Sequence, residues 1–280
     1  MNTKQLKIIA ILSMAYDHIT RIFPFENLLL PLAIKLEMQY PQHAETIVTV
    51  LLEILPFVLK FIGRLAAPIF MFCITIGYFY TSNLKKYIGR IFLFAILAQV
   101  PYILFNQAQD KMYGMELTPF YEVSLNILFT LGTALLALYF FERLRVKNVV
   151  LALSPVGLAA VLAHFLHMEG SEAYILIIFM FYILRNVPKP KKIIIWIPIL
   201  LLAHWRLILF TIEDFSNGST NSMNLLLNTL LNALGPYLGV FITFFYNGEK
   251  GKISKALQYG MYWFYPVHLL LLAVIGFLYY

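Results

Sequence analysis

Runs of apolar residues long enough to cross a bilayer recur from one end of the chain to the other, separated by short polar or proline-containing breaks. They fall at about 6–21, 65–83, 86–106, 123–142, 148–166, 172–187, 192–212, 223–247 and 257–279. A helix needs about 20 apolar residues to cross a hydrocarbon core of about 30 Å, so each run predicts a membrane-spanning helix. The breaks carry turn chemistry, as in the basic NVPKPKK and the polar EDFSNGSTNS. Two stretches fit less simply. Phe23 to Glu45 reads as irregular or amphipathic, because Pro24, Pro31 and Pro41 limit any helix there. Thr46 to Ile62 is apolar but short, and contains Glu53, Pro56 and Lys60. The pattern predicts an all-α polytopic membrane helix bundle of nine to ten transmembrane helices, in a single domain over residues 1–280.

Charge favours nine. With the N-terminus in the cytoplasm and 46–62 not crossing, Arg21, Lys35, Lys60, Arg64, Lys111 and Arg206 fall on the outer side. The other 15 of the 21 basic residues then lie inside, as the positive-inside rule requires. If 46–62 also crossed, the later loops would keep this orientation only with the N-terminus outside. The preferred arrangement has N-terminus in, C-terminus out and 46–62 as an interfacial or re-entrant helix. Ten spans stay open, since Leu51–Leu59 is apolar enough to insert.

Composition agrees with this class. The chain is 61% hydrophobic and 12% charged, where a soluble globular domain has about 25% charged residues. No long polar linker separates a second domain. Lys4 and Lys7 before an apolar stretch imitate a secretory signal, but no small-x-small cleavage site follows, so the first run is expected to be a retained span. The single cysteine, Cys73, rules out an intrachain disulfide and reads as a packing residue. The net charge of +7 is first an effect of topology; no nucleic-acid partner is expected. No internal repeat is evident, which weakens a transporter built from repeated halves.

Candidate chemistry begins in the first run, LKIIAILSMAYDHITR, which carries Asp17 and His18 roughly 18 Å from Leu6 at 1.5 Å per residue. Ionisable groups at such depth are costly unless they face a partner, the bundle interior or water. Asp17 and Arg21 share a face at four-residue spacing and can pair, while His18 lies about 100° round the helix. A charge cluster that snorkels to the interface is the plain alternative. Asn126 falls inside a predicted span, and His268 lies near mid-membrane two residues after Pro266, beside Tyr265. Lys85, Lys86 and Arg90 stand at an inner helix exit, as topological anchors or as contacts to an anionic cofactor. His164 and His167, near Glu169 and Glu172, have a spacing a metal tolerates, but no third and fourth ligand is specified and no metal is predicted. His204 and His43 carry weaker signals still. Asn224, Asn228 and Asn232 recur on one helical face as inter-helix glue or a cavity lining. P-loop, dinucleotide, HExxH and GxSxG motifs are lacking.

Taken in order, LKIIAILSMAYDHI, GRLAAPIFMFCITIGYFYTSNLKKYIGR, LNILFTLG, FYNGEKGK and YWFYPVHLLLL resemble the TraX family of bacterial integral membrane proteins. Two stretches depart from the family's pattern, Ile76 before Gly77 and EGSEAY where a DYG-like motif is expected. The resemblance implies an inner-membrane, multi-pass acyltransferase that takes an acetyl group from acetyl-CoA. The family's namesake acetylates the N-terminus of a conjugative pilin, and the family is similar to wider multi-spanning acyltransferases with an essential membrane His. The acceptor it implies is an extracytoplasmic or membrane-bound amine or hydroxyl, on a pilin-like protein or a cell-envelope glycan. Carried over, it makes His18 the general base with Asp17 orienting it. Arg64, Asn126, Tyr265 and His268 become cavity or oxyanion candidates, and Lys85, Lys86 and Arg90 candidate contacts to acyl-CoA phosphates. The rival expectation is a proton-coupled transporter or lipid-handling protein using Asp17, His18 and His268 as a relay.

Overall fold

The computed structural model describes residues 1–203, 205, 209, 212, 213, 216, 234–252 and 254–280. The described residues are helical almost throughout and contain no strand. The helices of ten or more residues are α1 (Thr3–Ile22), α2 (Phe25–Gln39), α3 (Leu55–Arg64), α4 (Ala66–Tyr80), α5 (Leu84–Met112), α6 (Ile127–Arg145), α7 (Ser154–Phe165), α8 (Ser171–Ile183), α9 (Lys189–Ala203), α10 (Leu234–Thr243) and α11 (Lys255–Tyr279). Among the described residues four helical runs are long and apolar enough to cross a membrane, and five if the bent pair α1–α2 counts as one. The exterior is apolar: on α5, Leu93, Ile96 and Val100 are exposed while the smaller Ala95 and Ala98 are buried. That is how a protein is arranged when its solvent is lipid.

α1 starts with a capping box. The Asn2 side chain accepts from the Gln5 amide (3.0 Å) and the Gln5 side chain from the Asn2 amide (2.9 Å). It stops before Pro24, and the chain turns by 65° into α2. The stretch expected to be irregular is thus mostly helical. Pro24 and Pro41 sit at helix edges, and Pro31 is inside α2, where it costs one bond of the ladder without ending the helix.

Residues Pro41–Tyr80 form a nearly continuous helical run, with a π-helical turn at Thr49–Ile54 ahead of Pro56. At 1.5 Å per residue this is about 60 Å, twice the depth of a hydrocarbon core. It therefore does not cross as one straight span. The break is at Leu65, where α3 gives way to α4. Sequence separated 46–62 from the span at 65–83; the two are joined by this one residue. α1 runs antiparallel to the pair. Leu6 and Ala10 bury against Ile69 and Cys73 of α4. The Ser13 hydroxyl donates to the Ile62 and Gly63 carbonyls, satisfying groups at the C-terminal end of α3.

α5 and α11 pack along their length. Ala98, Tyr102, Phe105 and Ala108 share a buried cluster with Tyr265, Leu269, Leu272 and Ala273. A second, larger cluster joins α4, α5, α6, α7 and α8, with Trp196 of α9 and Val240 of α10 closing one side. The runs expected at 192–212 and 223–247 are described only as α9, a few following residues and α10. His204, Arg206, Asn224, Asn228 and Asn232 lie outside the described residues.

Asn126 corrects the expectation of a mid-span polar residue. It caps α6, accepting from the Leu128 amide at 3.1 Å. Its amide nitrogen donates to the Ala95 carbonyl and to Gln99 Oε1, both at 2.8 Å. It is fully buried, with its donors committed. Replacing Asn126 with Ala removes a cap worth about 1 kcal/mol and two buried side-chain hydrogen bonds, to the Ala95 carbonyl and Gln99 Oε1, worth about 0.5–1.5 kcal/mol each. The expected outcome is a clear fall in melting temperature in detergent, whereas a melting curve equal to wild type would contradict this role.

Candidate active site

A cavity of about 320 Å³ lies between α1, α4, α5, α6, α8 and α11, at the lower end of the range (about 300–1,000 Å³) for small-molecule sites. One end is bounded by Lys7 and Lys250, the other by Asp17, Arg21, Arg64 and Glu169. Along α1, Lys7 to Arg21 is about 21 Å at 1.5 Å per residue, so the space is long and narrow. Between the ends the wall is mostly apolar, and the buried His18 and Tyr265 line it.

Lys250 is held at its end by the N-terminus. The Met1 ammonium donates to the Phe245 carbonyl (2.6 Å), the Asn247 amide to the Met1 carbonyl (2.8 Å), and the Thr3 amide to the Glu249 carbonyl (2.9 Å). Gly251, at φ 72, passes so close to Asn2 that a Cβ would meet its side chain at 2.9 Å. These bonds bring two ammonium groups, on α1 and on a loop 243 residues away, to the same mouth.

At the far end Asp17 and Arg21 form an ion pair of 2.7 Å, as their spacing predicts. The pair fits only because residue 63 is glycine: a Cβ there would stand 2.5 Å from Asp17 Oδ1. Glu169 arrives from the connection between α7 and α8. Leu125 donates to the His167 carbonyl (3.0 Å) and the Glu169 amide to the Leu125 carbonyl (2.8 Å), pinning that connection to the start of α6. Glu169 Oε2 accepts from the Ile127 amide at 3.1 Å. Burial pushes the Glu169 carboxyl above its usual range, against the pull of Arg21. Gly170, at φ 76, leaves room for the Tyr174 ring, which also lines the cavity. Arg64 forms no ion pair among the described residues, and its Nε is buried without a partner, as is the Tyr265 hydroxyl.

His18 belongs to a hydrogen-bonded chain. His268 Nδ1 lies 2.6 Å from the Phe264 carbonyl oxygen, which can only accept, so Nδ1 carries the proton. His268 Nε2 is then an acceptor, and His18 Nδ1, 2.7 Å away, must donate to it. His18 Nε2 keeps its lone pair. The arrangement fixes both neutral tautomers through one backbone carbonyl.

The profile of the TraX protein family matches residues 2–276. The chain belongs to the TraX family. A relative from Dichelobacter nodosus, the probable fimbrial assembly protein FimC of serogroup H1, is 29% identical over 269 residues, spanning 96% of this chain and 93% of that protein. No solved structure matches.

In this TraX-family chain the fold gathers Asp17, His18, Arg64 and Tyr265 around one cavity, with His268 directly behind His18. It does not bring the other candidates there. Asn126 is a helix cap. Lys85 and Lys86 are exposed and do not line the cavity, and Asn83 caps α5 through the Lys86 amide. Arg90 is half-buried behind Tyr87 and Tyr262, two cavity residues, with its Nε unpartnered. His164 bonds Glu172 at 3.2 Å, and the described residues hold no cluster of three metal-ligating side chains. Sequence reasoning gave no cavity role to Lys7, Lys250, Glu169 or Tyr174. The Glu-Gly step at a turn inside EGSEAY was the available signal for Glu169.

The close approach at Gly63 gives a direct test. Gly63→Ala should cost about 1–3 kcal/mol by overpacking against Asp17 and lower the melting temperature. Gly157→Ala on α7, where nothing lies within 4 Å, should be neutral or stabilising by up to about 1 kcal/mol. Equal effects at the two positions would remove the argument for contact between α1 and α3 at Asp17.

Proposed function

We propose that this TraX-family protein is an integral membrane acyltransferase that moves an acetyl group from acetyl-CoA to an amine or hydroxyl of an extracytoplasmic or membrane-bound acceptor. The observation that carries the reading is the cavity joining a two-lysine mouth to a histidine whose Nε2 is free. A basic mouth suits the phosphates of an acyl-CoA, and a narrow apolar channel suits a linear thioester arm. Lys7 and Lys250 replace Lys85, Lys86 and Arg90 as the leading phosphate contacts. The relative's description as a fimbrial assembly protein favours a pilin-like acceptor over a glycan.

In this mechanism His18 Nε2 takes the proton from the acceptor as it attacks the thioester carbonyl carbon. Arg64 and the Tyr265 hydroxyl, with Arg64 Nε and that hydroxyl unpartnered among the described residues, stabilise the charge developing on the carbonyl oxygen. As the carbon–sulfur bond breaks, His18 returns the proton to the departing CoA thiolate. His268 is a positioning residue: it holds the His18 tautomer without lining the cavity. Asp17, neutralised by Arg21, shapes the far end.

The topology proposed with this function has nine spans in the bacterial inner membrane and a cytoplasmic N-terminus. K60C and K111C should both be labelled from outside intact cells by an impermeant maleimide. Protection of either overturns that topology.

Purified protein incubated with labelled acetyl-CoA should release CoA or transfer label. His18→Ala should lower that rate by about 10²–10⁴-fold, the usual contribution of a general base. The double replacement K7Q/K250Q should raise KM for acetyl-CoA with kcat little changed, the mark of lost ground-state binding. Absence of CoA release, label transfer and any acetyl-CoA-induced thermal shift would overturn the acyltransferase reading. Proton-coupled uptake into vesicles that depends on His18 and His268 would then favour the relay.

A further inference from the structure

A second cavity, also about 320 Å³, lies on the other side of α4. The helix has two faces at helical spacing. Ala67, Phe70, Met71 and Ile74 line the first cavity, and Phe72, Thr75, Ile76 and Phe79 line the second. The second is completed by the end of α8, the start of α9 and the residues after α10. It opens at the N-terminal end of the bundle, where Tyr246 of its wall accepts a hydrogen bond from Thr3 at 3.4 Å.

Its chemistry is asymmetric. Arg185, Lys189 and Lys192 stand around it, and no acidic residue lines it among the described residues. Among the described residues none of the three has a carboxylate partner. They are held together by their own contacts. The Arg185 guanidinium stacks over the Tyr182 and Phe79 rings at 4.5 and 5.1 Å and donates to the Tyr182 carbonyl at 2.7 Å. Lys192 Nζ donates to the Arg185 carbonyl at 2.9 Å. Lys189 and Lys192 are close enough to repel each other. The floor is aromatic, with Trp196 buried against Phe181 at 4.5 Å between ring centres. Beside this rim Tyr80, Ile193 and Ile194 are exposed on the outside of the bundle.

Topological anchoring accounts for lysines in a loop. It does not account for a walled cavity with three cations of one sign and an aromatic floor that meets the lipid-facing surface. We propose that this cavity binds the phosphate diester of an anionic phospholipid, with Arg185, Lys189 and Lys192 around the phosphate and an acyl chain running out past Tyr80 and Ile193. Basic pockets between helices at the membrane boundary select such headgroups. The site is independent of the His18 cavity, since α4 stands between them.

The test is native mass spectrometry of the full-length protein in neutral detergent, titrated with phosphatidylglycerol, phosphatidylcholine, inorganic phosphate or CoA. Wild type should retain phosphatidylglycerol in preference to phosphatidylcholine. K189Q/K192Q should weaken that retention by about fivefold per lysine removed. It removes the Lys192 bond to the Arg185 carbonyl but leaves the Arg185 stacking on Tyr182 and Phe79 and its bond to the Tyr182 carbonyl in place, so its elution as a monodisperse species should match wild type. R145Q/K147Q, which removes two charges at the same end but outside the cavity, should retain lipid as wild type does. Unchanged retention in K189Q/K192Q, or an equal loss in R145Q/K147Q, overturns the site. Binding of phosphate or CoA that depends on Lys189 and Lys192, without phosphatidylglycerol retention, overturns the lipid as its occupant.

Discussion

The bond between His18 and His268 is the constraint on which the arrangement of the bundle turns. A polar ring inside an apolar helix is tolerated only when something in the bundle satisfies it. Here the satisfaction is sequential, from the Phe264 carbonyl to His268 to His18, and it fastens the first helix to the last. The tight seam between α5 and α11 carries His268 into reach, and the Asp17–Arg21 pair neutralises the charge beside it. What is left over is one nitrogen with a free lone pair on a cavity wall. A satisfied histidine pair would by itself be structural. The cavity in front of it, with Arg64 Nε and the Tyr265 hydroxyl unpartnered among the described residues, is what the proposed chemistry rests on.

The same economy governs α4, which separates two spaces of different character. Its face toward α1 borders a channel with cations at the mouth and a mixed acid–base cluster at the end. Its opposite face borders a pocket with cations alone. The two spaces open near one another at the N-terminal end, where the chain's first residues are bonded to the Phe245–Glu249 turn. A water-soluble anion entering one and a lipid anion held in the other would meet the protein at the same boundary, yet answer to different side chains.

Much of this was legible in the sequence. The period of the apolar runs gave the helices, and the four-residue spacing of Asp17 and Arg21 gave their ion pair. Depth alone marked His18 and His268, although nothing in the order of residues said that they touch, since 250 positions separate them. Asn126 misled because a cap and a buried mid-span residue look alike in a string; only the start of α6 distinguishes them. Lys85 and Lys86 misled through position: they sit at the start of α5, where Tyr87 turns into the cavity while the two lysines lie exposed outside it. Lys250 and Glu169 were hidden because each reaches the cavity from a loop. Their placement depends on backbone hydrogen bonds to Met1, Thr3 and Leu125 that leave no periodic trace.

The central claim, that the channel from Lys7 to His18 receives the acyl donor, can be tested on the chain's single thiol. Cys73 is buried and lines that channel at the level of Lys7. The measurement is the rate at which a small permeant maleimide modifies Cys73 in the detergent-solubilised protein, with and without saturating acetyl-CoA. Acetyl-CoA is expected to slow the modification strongly, and K7Q/K250Q to weaken that protection. A rate unaffected by acetyl-CoA in a folded wild-type protein would contradict the claim.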